Sequence, residues 1–430
     1  MKFFRQLNQF MLTGARAQAK WELDISNTIL HDRRRLIILC LLLIPILIGG
    51  IAFADEVVGK LPGMLGGKNA YAPAFYTPTI FFASIGVGIV AGLITGCIGA
   101  GGGFIIAPAL MSVGVKGILA VGTDLFHIFA KAIMGSVLHR KLGNVSVALA
   151  MVFLIGSIGG ATLGGWVNRT LYEMNPVLSD AFITTIYVLM LGFLCSYALL
   201  DFFRQTRKAA AAKASPSTTA SASGLTNLAQ KLQGVNLPPM VQFDEGVAPG
   251  GRKISWIFLV LSGFVVGMAA AIMGVGGGFL TFPIFVYVLG VSSATTVGTD
   301  IFQIIFTAGY AGLSQYAVYG FIFYTLAMGM LLGSLVGIQI GSLITKVVSG
   351  ITICGLYAVA TSAGFVNRVF ALPSKLASME MISMSKETGK LLETAGTYIF
   401  FGVLGAFALW VFYIFFTNIK TLKGEKEAHS

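Results

Sequence analysis

The segment Gly99-Ala100-Gly101-Gly102-Gly103-Phe104 recurs as Gly274-Val275-Gly276-Gly277-Gly278-Phe279, and each copy interrupts a long apolar run. The chemistry on offer is that of bare backbone. Consecutive glycines accept positive φ at little cost and leave their N–H groups uncovered. A short helix starting at Phe104 or Phe279 aims its positive end at the break, and such an end holds an anion without any charged side chain. Inside hydrocarbon, non-helical backbone is tolerated only where protein buries it or a watery cavity takes it up, so paired breaks in corresponding positions point to a binding site. Gly101, Gly102, Gly103 and Phe104, with Gly276, Gly277, Gly278 and Phe279, are therefore candidate substrate-binding residues.

A second repeated motif follows each break: Gly122-Thr123-Asp124-Leu125-Phe126 and Gly298-Thr299-Asp300-Ile301-Phe302. Thr and Asp at these positions suit the N-cap of the next helix. The hydroxyls of Thr123 and Thr299 are also candidate anion donors, and Asp124 and Asp300 are candidate coupling groups. Asp124, His127 and Lys131 fall at i, i+3 and i+7, on one helix face. The second copy carries Asp300, Gln303 and Thr307 instead. A basic group present in one half alone can set anion preference or gating, so His127, Lys131 and Gln303 join the coupling and gating candidates. The competing reading is that Lys131 snorkels towards the cytoplasmic Arg140 and that His127 only hydrogen-bonds within the bundle.

These residues must be positioned by membrane helices. The chain is 430 residues long, 56% hydrophobic and 11% charged, with a mean hydropathy of +0.84; soluble domains are about a quarter charged. Leu36 to Ala54, Thr79 to Ile98, Val147 to Val167, Ala181 to Leu200 and Thr397 to Phe416 approach or exceed the roughly 20 apolar residues of a spanning helix. Residues 1–35 read as a cytoplasmic amphipathic segment on the membrane surface. Residues 36–54 read as an extra first span; its Ala52-Phe53-Ala54 end resembles a signal-peptidase site, but the charged region before it is too long for a signal peptide.

The net charge of +12 is carried beside apolar segments, at Arg33 to Arg35, Arg140 and Lys141, Arg204 to Lys208, Arg252 and Lys253. That is the pattern of cytoplasmic flanks and not of a nucleic-acid surface. Pro108 matches Pro283 at an offset of 175, the Gly-Thr-Asp motifs match at 176, and Gly156-Ser157, Gly160 and Gly164 match Gly333-Ser334, Gly337 and Gly341 at 177. The glycines spaced by four read as faces where helices approach closely. The expected architecture is an all-α polytopic membrane protein of two inverted-topology repeats with glycine-broken helices, about eight full spans plus two broken hairpins. Its segments are a first repeat at 78–203, a disordered cytoplasmic linker at 204–253, a second repeat at 254–370, an outer loop at 371–396, a last span at 397–417 and a cytoplasmic tail at 418–430.

Cys40, Cys97, Cys195 and Cys354 lie in apolar segments without metal-ligand spacing and read as packing residues. No G-x-x-x-x-G-K-[ST], H-E-x-x-H or G-x-S-x-G sequence occurs, so no catalytic residue, cofactor or metal is expected.

The paired G-x-G-G-G-F-x3-P segments, each followed by G-T-D-[LI]-F, resemble the TauE/SafE family of membrane permeases over about residues 80 to 205 and 255 to 415. The resemblance implies transport of small sulfur-containing anions such as sulfite or organosulfonates across the bacterial cytoplasmic membrane, commonly outward. The expected function is a secondary transporter with both termini cytoplasmic. A passive anion channel and a membrane anchoring subunit of another complex are the alternatives. Its partners are a small anionic substrate and the lipid bilayer, without nucleic acid; a homo-oligomer remains open.

Overall fold

The computed structural model describes residues 78–98, 102–141, 145–214, 227–244, 251–345 and 347–418. The expected amphipathic segment at 1–35, the first span at 36–54, Gly99 to Gly101 and most of the tail lie outside these residues.

The first half of the chain folds as α1 (Pro78–Ile98), α2 (Gly103–Ser112), α3 (Gly117–Lys141), α4 (Val147–Met174) and α5 (Pro176–Ala214). A short helix, α6 (Asn227–Gln233), and an antiparallel strand pair, β1 (Met240–Phe243) with β2 (Arg252–Ser255), connect it to the second half. There α7 (Trp256–Met273) leads to α8 (Gly278–Pro283), which continues as a π-helical turn through Val288. Then come α9 (Ser293–Tyr310), prolonged by π- and 3-10-helical turns through Tyr319, α10 (Tyr324–Ile344), α11 (Gly350–Ser378) and α12 (Lys386–Thr417).

Among the described residues six helices are long and apolar enough to cross a membrane: α4, α5, α7, α10, α11 and α12. Helix α7, assigned to a broken hairpin, is itself of spanning length. The outermost of the six, α12, exposes Tyr398, Leu409, Tyr413 and Phe416, the side chains of a helix that meets lipid.

Helices of the two halves interlock. Helix α1 packs along α10 and α4 along α7, in both cases through the four-residue glycine rows. A methyl group built on Gly92 would come within 2.6 Å of Ser334 O, and one on Gly164 within 2.6 Å of Met268 O. Gly88 faces Met330, Gly92 faces Ser334 and Gly96 faces Ile338, so residue numbers rise together and α1 and α10 run parallel. Gly156, Gly160 and Gly164 likewise follow Val260, Phe264 and Met268 up α7. Corresponding helices of the halves run antiparallel instead. Gly122 meets Tyr316 while Gly309 meets Phe129, which crosses α3 against α9. Cys195 Sγ lies 3.1 Å from Ser362 Oγ, and Gln205 Nε2 donates to Cys354 Sγ at 3.0 Å, which crosses α5 against α11.

Two expectations are corrected. The stretch 204–253 carries regular structure: α5 runs on to Ala214, and β1 and β2 pack Val241, Phe243 and Ile254 into a cluster with Phe153, Leu259 and Phe285. The alternating apolar residues of this strand pair gave it a face to bury, which the polar linker composition obscured. The expected loop at 371–396 is largely helical, with α11 reaching Ser378 and α12 starting at Lys386, where Ser385 caps the first turn by accepting from Thr388 N.

Candidate functional site

Gly102 and Gly103 at the end of the first break, and the second break, sit where helices of the two halves cross. Gly274, Gly276 and Gly277 have φ of +79°, +70° and +85°, conformations that glycine adopts readily and L side chains rarely do. A methyl group on Gly103 would lie 3.3 Å from Val275 O and 3.1 Å from Ile128 Cδ1, and one on Gly276 would lie 2.7 Å from Ile128 Cγ2. The start of α2 therefore abuts the second break, with Ile128 of α3 against both.

The carbonyls that α7 leaves unpaired at its end are taken by side chains. Asn168 Nδ2 donates to Ala271 O and Ile272 O at 3.4 and 3.1 Å, Tyr316 Oη donates to Ala271 O at 2.5 Å, and Tyr187 Oη donates to Met273 O. At the first break the Thr95 hydroxyl does comparable work. It donates to Ala91 O at 2.8 Å, accepts the Gly102 N–H at 2.7 Å and accepts Lys131 Nζ at 3.1 Å. Lys131 is thus tied to the break and does not reach back to the helix end. Cys97 Sγ donates to Gly341 O at 3.4 Å and is buried, a packing contact.

Halfway along α3, Asp124 is fully buried and His127 nearly so. His127 Nδ1 lies 3.5 Å from Asp124 Oδ1, and its Nε2 lies 3.0 Å from Ser334 Oγ of α10. In the second half Gln303 Nε2 donates to Asp300 Oδ1 at 2.9 Å. The Thr307 hydroxyl donates to Gln303 Oε1 at 2.7 Å and meets Ser157 Oγ of α4 at 2.7 Å. Asp300 Oδ2 faces the α8 start, 3.1 Å from where a Gly278 methyl would lie. Ser157 and Ser334, a matched pair in the repeat, therefore complete equivalent polar rows from the opposite halves.

The Gly-Thr-Asp motifs do not open their helices. Helix α3 starts at Gly117, whose N–H is accepted by Asp180 Oδ1 at 2.7 Å, and α9 is capped by Ser292, which accepts from Thr295 N. Thr123 and Thr299 instead serve the other half: Thr123 Oγ1 accepts Phe323 N–H at 2.9 Å and Thr299 Oγ1 accepts Ser146 N–H at 3.0 Å, just before α10 and α4. The expectation that these motifs cap their own helices is corrected: the two hydroxyls accept from the residue that precedes a helix of the other half. Phe104 and Phe279 are core residues, Phe104 edge-on to Tyr357 with ring centroids 5.9 Å apart. Thr95 carried no sequence signal, being a lone polar residue in an apolar run, whereas Ser157 and Ser334 were marked by the repeat.

An all-α membrane bundle whose buried polar groups collect where broken helices meet has the build of a membrane transporter. The family model of the sulfite exporter TauE/SafE family matches residues 84–368, and the chain belongs to that family. It is similar to two probable membrane transporter proteins of Bacillus subtilis (strain 168). One, YjnA, is 25% identical over 257 residues, covering 60% of this chain and 87% of the relative. The other, YunE, is 25% identical over 274 residues, covering 62% and 89%. A probable membrane transporter protein of Xylella fastidiosa (strain 9a5c) is 22% identical over 291 residues, covering 67% and 90%. No solved structure matches the chain.

Proposed function

We propose that the chain is a secondary transporter that exports small sulfur-containing anions, such as sulfite or organosulfonates, by alternating access around a midplane site between the two breaks. The observation that carries this reading is the contact of the breaks, Gly103 against Val275 with Ile128 between α2 and the second break. The grip on the anion is one-sided. Asp300 already stands at the start of α8, so the anion is held at the start of the ten-residue α2, where Gly103 and Phe104 bring backbone N–H groups and Lys131 brings a positive charge, while the Gly102 N–H is held by Thr95. Alternating access draws support from the antiparallel run of corresponding helices, the relation expected of inverted repeats whose halves rock about a shared site. The location is the bacterial cytoplasmic membrane, with both termini cytoplasmic, as the basic flanks require.

The test is flux in proteoliposomes with labelled sulfite, sulfate, thiosulfate and a sulfonate. Saturable sulfite counterflow is expected. Unsaturable flux would identify a channel, and absent flux with a soluble protein co-purifying would identify an anchoring subunit; either overturns the proposal.

A further inference from the structure

The pair Asp124 and His127 poses a hydrogen-bond problem that its counterpart in the second half does not. Both carboxylate oxygens of Asp124 and the Nδ1 of His127 are buried without a hydrogen-bond partner, and Nδ1 lies 3.5 Å from Oδ1. The far side of the ring is served by one hydroxyl: Ser334 Oγ lies 3.0 Å from Nε2 and 3.2 Å from Gly88 O, with one proton to give. When that proton goes to Gly88 O, Nε2 carries the hydrogen of the neutral ring, and Nδ1 and a carboxylate oxygen face each other as two acceptors, which one added proton resolves for both. When it goes to Nε2, the ring hydrogen sits on Nδ1 and Asp124 Oδ2 is still buried without a donor.

The second half has the same row with the proton built in. Gln303 stands where His127 stands, and its amide N–H donates to Asp300 Oδ1 at 2.9 Å. Its carbonyl oxygen accepts from Thr307, which meets Ser157, the counterpart of Ser334. A permanent N–H does there what a removable proton does in the first half.

We propose that Asp124 and His127 form a single-proton site, confined to the first half, whose occupancy is linked to that of the transported anion. This rests on reading the chain as a secondary transporter. One proton from water adds to the pair and makes one O–H···N or O⁻···H–N bond; no other bond changes, and the pair passes from charge −1 to 0. Neutralising Asp124 removes an anion from the helix face that carries Lys131, so proton and substrate anion favour each other's binding. The other groups around the pair are already engaged: Lys131 of the same helix with Thr95 of α1, Tyr187 of α5 with Met273 O, Tyr316 of α9 with Asn168 of α4, and Ser334 of α10 with Gly88 O.

The experiment is an infrared pH titration of the purified protein in proteoliposomes, reading the C=O stretch of protonated carboxylic acid, for the wild type, Asp124→Asn, Asp300→Asn and His127→Gln. A band that titrates in the wild type and in Asp300→Asn, and that is missing in Asp124→Asn, is expected. His127→Gln, which copies the second half, should weaken proton binding about tenfold or more, one pH unit. A wild-type titration unchanged in Asp124→Asn, or lost in Asp300→Asn instead, overturns the site. Where Asp124→Asn does not insert, His127→Gln decides alone: an unshifted titration overturns the proposal.

Sulfite flux under an imposed pH gradient is the second readout, with stimulation by acid on the loading side expected in the wild type and lost in His127→Gln. Stimulation persisting unchanged there overturns the linkage. A normal carboxyl titration with no sulfite flux overturns the transporter reading while leaving the proton site standing, so the two failures are told apart.

Discussion

The Thr95 hydroxyl fills all of its hydrogen-bonding positions at the first break, with Ala91 O, Gly102 N and Lys131 Nζ. Thr95→Val keeps the side-chain shape and strips these bonds, leaving a buried amide and an ammonium short of an acceptor. A loss of about 1–3 kcal/mol follows from such unsatisfied groups, to be read as a lower thermal unfolding midpoint in detergent. Lys131→Met retains the stem and removes the charge. Its sulfite half-saturation concentration in counterflow should rise about tenfold, the scale of roughly 1.4 kcal/mol for one charge-assisted contact; an unchanged value would place the anion elsewhere. The sequence marks Lys131 by its spacing from Asp124 and its absence from the second half. It is silent on Thr95, because a threonine one turn before a break looks like any polar residue in an apolar helix until the fold brings α3 beside it.

At the scale of elements, the four-residue glycine rows hold α1 to α10 and α4 to α7. A methyl on Gly160 would overlap Phe264 O, which is backbone and cannot step aside, whereas nothing lies within 4 Å of a methyl on Gly405 in α12. Gly160→Ala should therefore cost about 1–3 kcal/mol through overpacking, while Gly405→Ala should hold or gain about 0.5–1 kcal/mol from reduced helix entropy loss; paired thermal unfolding curves separate the two. The rows were legible as small faces, but which helices they join was not, since spacing within one helix carries no information about its partner.

The linker has its own element-scale consequence. Asp244 accepts from Ser292 N at 2.7 Å, Ser292 Oγ at 2.6 Å and Thr295 Oγ1 at 2.5 Å, and Arg252 beside it donates to Gly290 O at 2.6 Å, so the strand pair clasps the turn between α8 and α9. Asp244→Ala leaves these donors unmet and is expected to lower stability by about 1–3 kcal/mol, with protease cleavage in the linker rising in step. A low-complexity stretch beside the strand pair hid this clasp in the sequence.

For the whole molecule, the paired breaks and matched offsets in the sequence call for duplication, and basic flanks call for opposite orientations of the halves. Chain direction in the fold supplies the physical constraint. Corresponding helices α3 and α9, and α5 and α11, run antiparallel, while α1 with α10 and α4 with α7 run parallel. Two halves related by an axis along the membrane normal would give the reverse, because equivalent helices would then point the same way. The junction of α4 with α5 at Asn175 and the junction of α10 with α11 at Ser349 correspond in the two halves, and both residues are exposed. In a background freed of the four native cysteines, Asn175→Cys should react with a membrane-impermeant maleimide added outside intact cells. Ser349→Cys should react only after the membrane is opened. Labelling of both from the same side would mean that the halves are not inverted, and a site shared by opposed breaks at the bilayer midplane would lose its symmetry argument.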